Sequence, residues 1–236
     1  MIDLTRPVVV LTGAGISAES GVPTFRGAGG LWRSYRASDL ATPQAFRSDP
    51  RLVWEFYEWR REVISACQPN VAHTTLAMME QCLADFTLIT QNVDGLHQRA
   101  GSLNILTLHG DIWRVRCTAC AYNAVDTRVP LPELPPRCPT CDGLLRPDVI
   151  WFGEQLPGTV LEKAWMAAAR AGLMLVVGTS ALVQPAASLP LVARRNGAVI
   201  VELNSEQTPL TPFADIHLHG SAGEHLPQWW RSVQSG

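Results

Sequence analysis

The chain has 236 residues, 47% of them hydrophobic and 17% charged, with a formal net charge of −2. That apolar content excludes a disordered chain, and 19 Lys plus Arg against 21 Asp plus Glu excludes binding of nucleic acid by bulk charge. The length fits one large domain or one domain with an insertion, and the basic skew of eighteen Arg to one Lys, Lys163, reads as codon bias.

In chain order, Val8–Thr12 reads as a buried strand that runs into the turn Gly13-Ala-Gly15 and a helix. The apolar run after Arg6 stops after five residues, too short for the core of an export signal, so the chain is expected in the cytoplasm with its six cysteines as thiols or metal ligands. Leu52, Val53, Phe56, Trp59, Val63 and Ile64 recur at three and four, which predicts an amphipathic helix over 49–66 opened by Asp49 and Pro50. A helix over 73–83 and the strand FTLIT follow, then a turn region and the strand ILTLHG ending at Gly110. Five prolines between Pro130 and Pro139 mark a linker. Beyond it come VIWFG, a helix over 159–171, the strand LMLVVGTS, a helix over 186–195 and the strand AVIVELN. The 23 uncharged residues between Arg170 and Arg194 are long enough to span a bilayer, but their Gly and Pro residues divide them into strand, turn and helix, so no membrane association is expected. Strands alternating with helices predict an α/β fold with a doubly wound parallel sheet. The segment 113–147 breaks the alternation and is assigned to an inserted module.

Cys117 and Cys120 form one CxxC pair and Cys138 and Cys141 another, seventeen residues apart. This spacing is that of a tetrahedral structural Zn²⁺ site, with free thiols or disulfides as the alternative. Cys67 and Cys82 fall on helices and read as core residues. Gly13-Ala-Gly15 alone is compatible with an ordinary strand–helix turn, because the third glycine of a dinucleotide fingerprint is missing. Four strand ends considered together, at Gly13–Gly15, Gln91–Asp94, Gly178–Ser180 and Asn204–Glu206, describe a dinucleotide crevice better than any one of them.

GAGISAESGVPTFRG from Gly13, TQNVDGLH from Thr90, LHG ending at Gly110, the two CxxC pairs, WFGE from Trp151 and GTS from Gly178 resemble, in order and over nearly the whole chain, the sirtuin NAD-dependent protein-lysine deacylases. The resemblance implies a Rossmann-like part over 1–30, 71–112 and 148–236. A smaller domain is implied from the helical insert 31–70 and a zinc-ribbon module at 113–147. It implies that Gly13, Ala14, Gly15 and Ser17 line the NAD phosphates and ribose, with Phe25 and Arg26 in the loop over the nicotinamide. Gln91, Asn92 and Asp94 would hold the nicotinamide ribose and carboxamide. Gly178, Thr179, Ser180, Asn204, Ser205 and Glu206 would take the adenosine half, with Ala222 near the adenine. His109 matches the catalytic histidine, and Gly153 and Glu154 the substrate-backbone positions. The other five histidines receive no catalytic role.

The expected reaction is removal of an acyl group from a protein lysine with consumption of NAD as co-substrate, giving nicotinamide and 2'-O-acyl-ADP-ribose. A neutral histidine suits the base that a ribose hydroxyl needs in that sequence. Tyr57 and Arg60, three apart on one helix, resemble the Tyr-x-x-Arg pair of desuccinylase-like (class III) sirtuins, and Ala41 stands where that subgroup keeps the acyl pocket roomy. The bland alternative for Arg60 is a surface pairing with Glu55 or Glu58. Two rival functions remain open: an NAD-dependent protein mono-ADP-ribosyltransferase, and a zinc-bearing binding module. The expected partners are acylated-lysine proteins or peptides, and a monomer is favoured with the oligomeric state open.

Overall fold

The computed structural model describes residues 2–24 and 31–234. The elements in order are β1 (Val8–Thr12), α1 (Gly15–Ala18), β2 (Leu31–Trp32), β3 (Tyr35–Arg36), α2 (Ala37–Leu40), α3 (Pro43–Ser48), α4 (Pro50–Ala66) and α5 (Val71–Cys82). Then come β4 (Phe86–Thr90), α6 (Leu96–Arg99), β5 (Ile105–Thr107), β6 (Gly110–Cys117), β7 (Asn123–Val125) and β8 (Leu145–Val149). The chain finishes with α7 (Gly158–Arg170), β9 (Leu173–Val177), α8 (Leu189–Arg195), β10 (Val199–Asn204), β11 (Ile216–His219) and α9 (Ala222–Gln234).

A six-stranded sheet has the order β11-β10-β9-β1-β4-β5, and every pairing in it is parallel. Strands covered on both faces can be apolar throughout. In β1, Val8 and Val10 face one core, shared with Leu76 and Met79 of α5 and Leu226 of α9, while Val9 and Leu11 face the other, shared with Ala164 of α7 and Leu189 of α8. The expected doubly wound sheet is thus present, with helices on both faces. From β1 the chain first builds β4 and β5 on one side and later β9, β10 and β11 on the other. The carboxyl ends of β1 and β9 therefore flank the point where the winding reverses, which is where such sheets leave a crevice.

The smaller layer has its own core. A three-stranded antiparallel sheet, β7-β6-β8, runs from Gly110 to Val149, a few residues beyond the 113–147 segment at each end. α4 packs on it: the Trp54 indole N–H donates to the Leu145 carbonyl at 2.8 Å, and Arg61 Nε donates to the Ile112 carbonyl at 2.9 Å. α4 starts as predicted, with the Asp49 side chain accepting from the Leu52 amide at 2.9 Å and Pro50 in the first turn. Its buried face differs from the periodic stripe. Trp54, Tyr57, Arg60 and Arg61 are buried, while Leu52, Trp59 and Val63 are half-buried, because the helix lies between the small sheet and the cleft rather than on one core.

The uncharged 171–193 run divides into β9, a turn, a short 3-10 helix at Ala186–Ser188 and the start of α8, and among the described residues no helix is long and apolar enough to cross a membrane. β11 and α9 come in addition to the expected elements, α9 with Leu226, Trp229, Trp230 and Val233 spaced at three and four, and Cys82, expected in the core, is exposed at the last residue of α5.

Candidate active site

A continuous cleft of about 1430 Å³ separates the large sheet from the small domain. Its large-domain wall is formed by Gly13, Ala14, Gly15, Gln91, Asn92, His109, Gly178, Thr179, Ser180, Asn204, Ser205 and Glu206. Ala41, Tyr57, Arg60, Gly153 and Glu154 line the same cleft. Four loops that follow parallel strands supply most of the first wall, and α4 with the 151–154 segment supplies much of the second.

The glycines at the switch point are required by close approach of protein to protein. A Cβ on Gly13 would lie 2.8 Å from the Gly178 carbonyl oxygen, and Gly178 itself has φ +61 with its would-be Cβ 2.4 Å from the Ile16 nitrogen. The Gly13 amide donates to the Val177 carbonyl at 3.0 Å and the Gly15 amide to the Gly178 carbonyl at 2.8 Å. Both amides are thus spent within the protein, and these glycines shape the crevice floor instead of offering free N–H groups there.

Polar side chains from the neighbouring loops lock onto this floor. Asn92 Nδ2 donates to the Gly13 carbonyl at 3.0 Å and to Ser17 Oγ at 3.2 Å, Gln91 Nε2 donates to Thr179 Oγ1 at 2.9 Å, and Asn204 Nδ2 donates to the Thr179 carbonyl at 2.7 Å. Three residues expected at the cofactor do not line the cleft. Ser17 and Asp94 are buried beneath it, Ser17 Oγ donating to Asp94 Oδ2 at 2.8 Å, so their contact is with Asn92 and the chain below. Ala222 is buried in the core under α9, whose first turn is held by Glu19 accepting from the Gly223 amide at 2.6 Å. Phe25 and Arg26 lie outside the described residues.

His109 follows β5 and lines the cleft. Its Nδ1 is 3.0 Å from the Gln91 carbonyl, which can only accept, so the proton resides on Nδ1 and Nε2 carries the lone pair. Burial pushes its pKa below the ordinary value, against the Gln91 carbonyl that raises it, so the ring is neutral at pH 7. Two further histidines, given no role from sequence, are buried near the same floor. His73 Nε2 is 3.3 Å from Ser17 Oγ, His97 Nε2 is 2.9 Å from Thr12 Oγ1, and the two rings are 4.9 Å apart. Burial lowers His73 to about 4, and burial plus the neighbouring ring lowers His97 to about 3, so both serve as neutral hydrogen-bonding groups. Glu202, which no motif marks, is completely buried on β10 and accepts from the hydroxyls of Thr208 and of Thr211, the latter at 2.6 Å. It thereby clamps the loop after Asn204 that lines the large-domain wall. Its only signal in the sequence is its VELN context, a lone acid in a buried strand.

At the other end of the cleft, Tyr57 and Arg60 are both buried. Glu55 pairs with Arg33 and Arg51, and Glu58 accepts from the Leu131 amide, while Arg60 lines the cleft beside Tyr57. Trp151 Nε1 donates to the Tyr57 hydroxyl oxygen at 2.9 Å. The Glu154 carboxylate is committed to Arg146, at 2.6 and 2.9 Å, and to the Trp151 amide at 2.8 Å, so any substrate contact from Glu154 falls to its backbone.

The four sulfurs of Cys117, Cys120, Cys138 and Cys141 lie within 4.8 Å of one another. The Ala119 amide donates to Cys117 Sγ at 3.3 Å and the Thr140 amide to Cys138 Sγ at 3.4 Å, the knuckle pattern that stabilises thiolates. No disulfide is formed, and an all-thiol donor set of this size suits Zn²⁺ in a closed, structural site. The cluster lies at the end of the small sheet, away from the cleft lining, where the metal supplies folding energy and no chemistry.

Comparison with known proteins agrees with this geometry. Residues 13–185 match the model of the Sir2 family. The chain is 53% identical over 219 residues to an NAD-dependent protein deacylase of Aquifex aeolicus, covering 93% of this chain and 92% of the relative. It is 52% identical over 225 residues to an NAD-dependent protein deacylase of Pyrococcus furiosus, covering 93% and 90%. A solved Sir2 homologue in complex with NAD superposes with a TM-score of 0.94 at 50% identity, covering 98% of this chain and 91% of the other. A Sir2 protein bound to acetylated peptide superposes with a TM-score of 0.86 at 32% identity, covering 98% and 94%. With the parallel sheet, the four-cysteine cluster and the family match over most of its length, the chain belongs to the Sir2 family.

Proposed function

We propose that the protein is an NAD-dependent protein-lysine deacylase whose acyl pocket takes dicarboxylate acyl groups such as succinyl and malonyl as well as acetyl. The observation that carries the reading is one cleft holding both His109, with its lone pair free at Nε2, and the buried Tyr57 and Arg60. The related proteins named as deacylases, and the similar folds bound to NAD and to acetylated peptide, support the same reaction class.

The chemistry follows from positioning. The bond from ribose to cationic nicotinamide breaks toward an oxocarbenium-like carbon, and the acyl carbonyl oxygen of the substrate lysine, held against it, forms the new C–O bond while nicotinamide leaves with the electron pair. No side chain has to attack, so this step depends on alignment in the cleft. The ribose hydroxyl next adds to the activated acyl carbon, and the lysine amine is then expelled as water adds there, which leaves the acyl group on the ribose and the lysine free. Neutral His109 takes the ribose hydroxyl proton at Nε2, and the Gln91 carbonyl stabilises the imidazolium that results through Nδ1–H. Tyr57 and Arg60 add charge-assisted hydrogen bonds for a terminal carboxylate. We also place the enzyme in the cytoplasm, a reducing compartment suited to its thiolates.

Incubation with NAD and matched acetyl- and succinyl-lysine peptides, read by mass spectrometry, tests the assignment. Nicotinamide release that depends on the acyl peptide, together with 2'-O-acyl-ADP-ribose, is expected. ADP-ribose retained on protein would indicate the transferase instead. Arg60→Met should lower succinyl turnover by about ten- to a hundredfold, the worth of a hydrogen bond to a charged group, and acetyl turnover less. Equal losses would refute the carboxylate pocket.

A further inference from the structure

We infer that Trp151 is a positioning residue that sets acyl specificity: it spends its indole N–H on Tyr57 and so directs the single phenolic proton toward an acceptor on the bound acyl group. The inference rests on the reading of Tyr57 and Arg60 as the acyl-carboxylate pair. An indole N–H can only donate, so in the 2.9 Å contact the Tyr57 oxygen must be the acceptor. A phenol has one proton, and among the described residues no protein acceptor takes it. Tyr57 and Arg60 both line the cleft, so an acceptor for the phenolic proton can come from what the cleft binds. Burial pushes Tyr57 up to about 12, which keeps it a donor at any physiological pH.

The indole is held so that it can do little else. Arg146 lies over its ring, guanidinium carbon to centroid 3.3 Å, and the Phe46 ring is 5.2 Å away. Arg146 is gripped by both oxygens of Glu154 and donates to the Val149 carbonyl at 2.9 Å, while Glu154 also accepts from the Trp151 amide. Trp151, Glu154 and Arg146 thus close a ring of contacts whose output is the direction of one N–H. The consequence is discrimination in both directions. An anionic tail gains a charge-assisted bond, whereas a neutral tail of similar length leaves a buried hydroxyl proton unpaired. A hydrogen bond that merely tied α4 to the 151–154 segment would instead change stability and affect all acyl substrates alike.

The test is a double-mutant cycle on the full chain. kcat and KM are measured with one peptide carrying acetyl-, succinyl- or butyryl-lysine, for the wild type, Trp151→Phe, Tyr57→Phe and the double variant. Trp151→Phe should lower the succinyl-to-acetyl ratio of kcat/KM by about tenfold, mainly through KM for the succinyl peptide, and should relax the bias against butyryl. In the Tyr57→Phe background the same change should add almost nothing, because the group through which Trp151 acts is gone. Additive losses, or an unchanged ratio in Trp151→Phe when Tyr57→Phe collapses it, would overturn the inference while leaving the carboxylate pocket intact. If neither Tyr57→Phe nor Arg60→Met moves the ratio, the pocket reading itself falls and takes the inference with it. Should Trp151→Phe fail to fold, Arg146→Lys, which keeps the charge but lacks the flat face and the two-pronged pair with Glu154, should move the ratio the same way by less; no movement there would also overturn it.

Discussion

In the large sheet, β1 is buried at all five positions and its alternate residues feed two cores, so its stability comes from a continuous apolar run and parallel backbone pairing. Across the cleft, the small domain is stapled by separate side-chain contacts: four cysteines 24 residues apart at their extremes, Trp54 on the Leu145 carbonyl, Arg61 on the Ile112 carbonyl, and Arg146 against Trp151 and Glu154. The floor of the cleft is therefore fixed by the sheet and its loops, whereas the wall opposite hangs on a few side chains whose loss is felt one contact at a time.

The largest effect is expected from removing the metal. Structural zinc in small modules is worth roughly 10–16 kcal/mol, against about 5–15 kcal/mol for a whole domain, so chelation or Cys138→Ser should unfold the small domain and abolish turnover. Five of the eight tryptophans, Trp32, Trp54, Trp59, Trp113 and Trp151, pack in that domain's core, so fluorescence reports the loss; full turnover by metal-free protein would contradict the structural role.

On the sheet side, His109→Ala should leave the floor intact and cost about 10²–10⁴-fold in deacylation with NAD binding retained by calorimetry. Near-normal turnover would remove His109 from the base role. Acid should then expose the histidines buried near that floor. His73 and His97 are lowered to about 4 and about 3, while unfolded histidine titrates near 6.5. Between those values the unfolded chain binds more protons than the folded one, so stability is complete above about pH 6.5 and is lost as pH falls toward 4 and below, by an amount on the order of a few kcal/mol. Thermal melts with metal content monitored should show this, and a His97→Gln variant with an equally steep decline would argue against it. The smallest effect is expected at the adenosine side. Glu202→Ala frees the loop held through Thr208 and Thr211 and should raise KM for NAD by up to about tenfold with little change in KM for peptide. A matched rise in both would mean a general loss of fold.

Strong local patterns are legible in the order of residues alone. VVVLT, FTLIT and LMLVV are strands because uninterrupted β-branched and apolar runs of that length suit a sheet covered on both faces, and α4 begins at its Asp-Pro signal. Other elements read less directly. β11 is short and carries two histidines, and α9 has Pro227 inside it although Leu226, Trp229, Trp230 and Val233 keep a helical spacing of three and four. Ser17 and Asp94 stand in motifs that surround the cofactor crevice, yet their side chains turn under its floor to each other, a direction that no motif encodes.

The chemistry available is encoded in the order of residues: four thiols at metal spacing, glycines and amides at strand ends, a histidine after a strand, and a Tyr-x-x-Arg pair on one helix. These are encoded in residue type and short spacing, which survive without coordinates. Which groups remain free to act is settled by the packing of the folded chain. Gly13 and Gly15 spend their amides on β9 and the turn after it, Glu154 spends its carboxylate on Arg146, the Gln91 carbonyl selects the His109 tautomer, and the Tyr57 oxygen accepts the Trp151 indole N–H. Most of these partners lie far away in sequence, and a donor or acceptor can be counted as available only once every partner that folding brings to it is known.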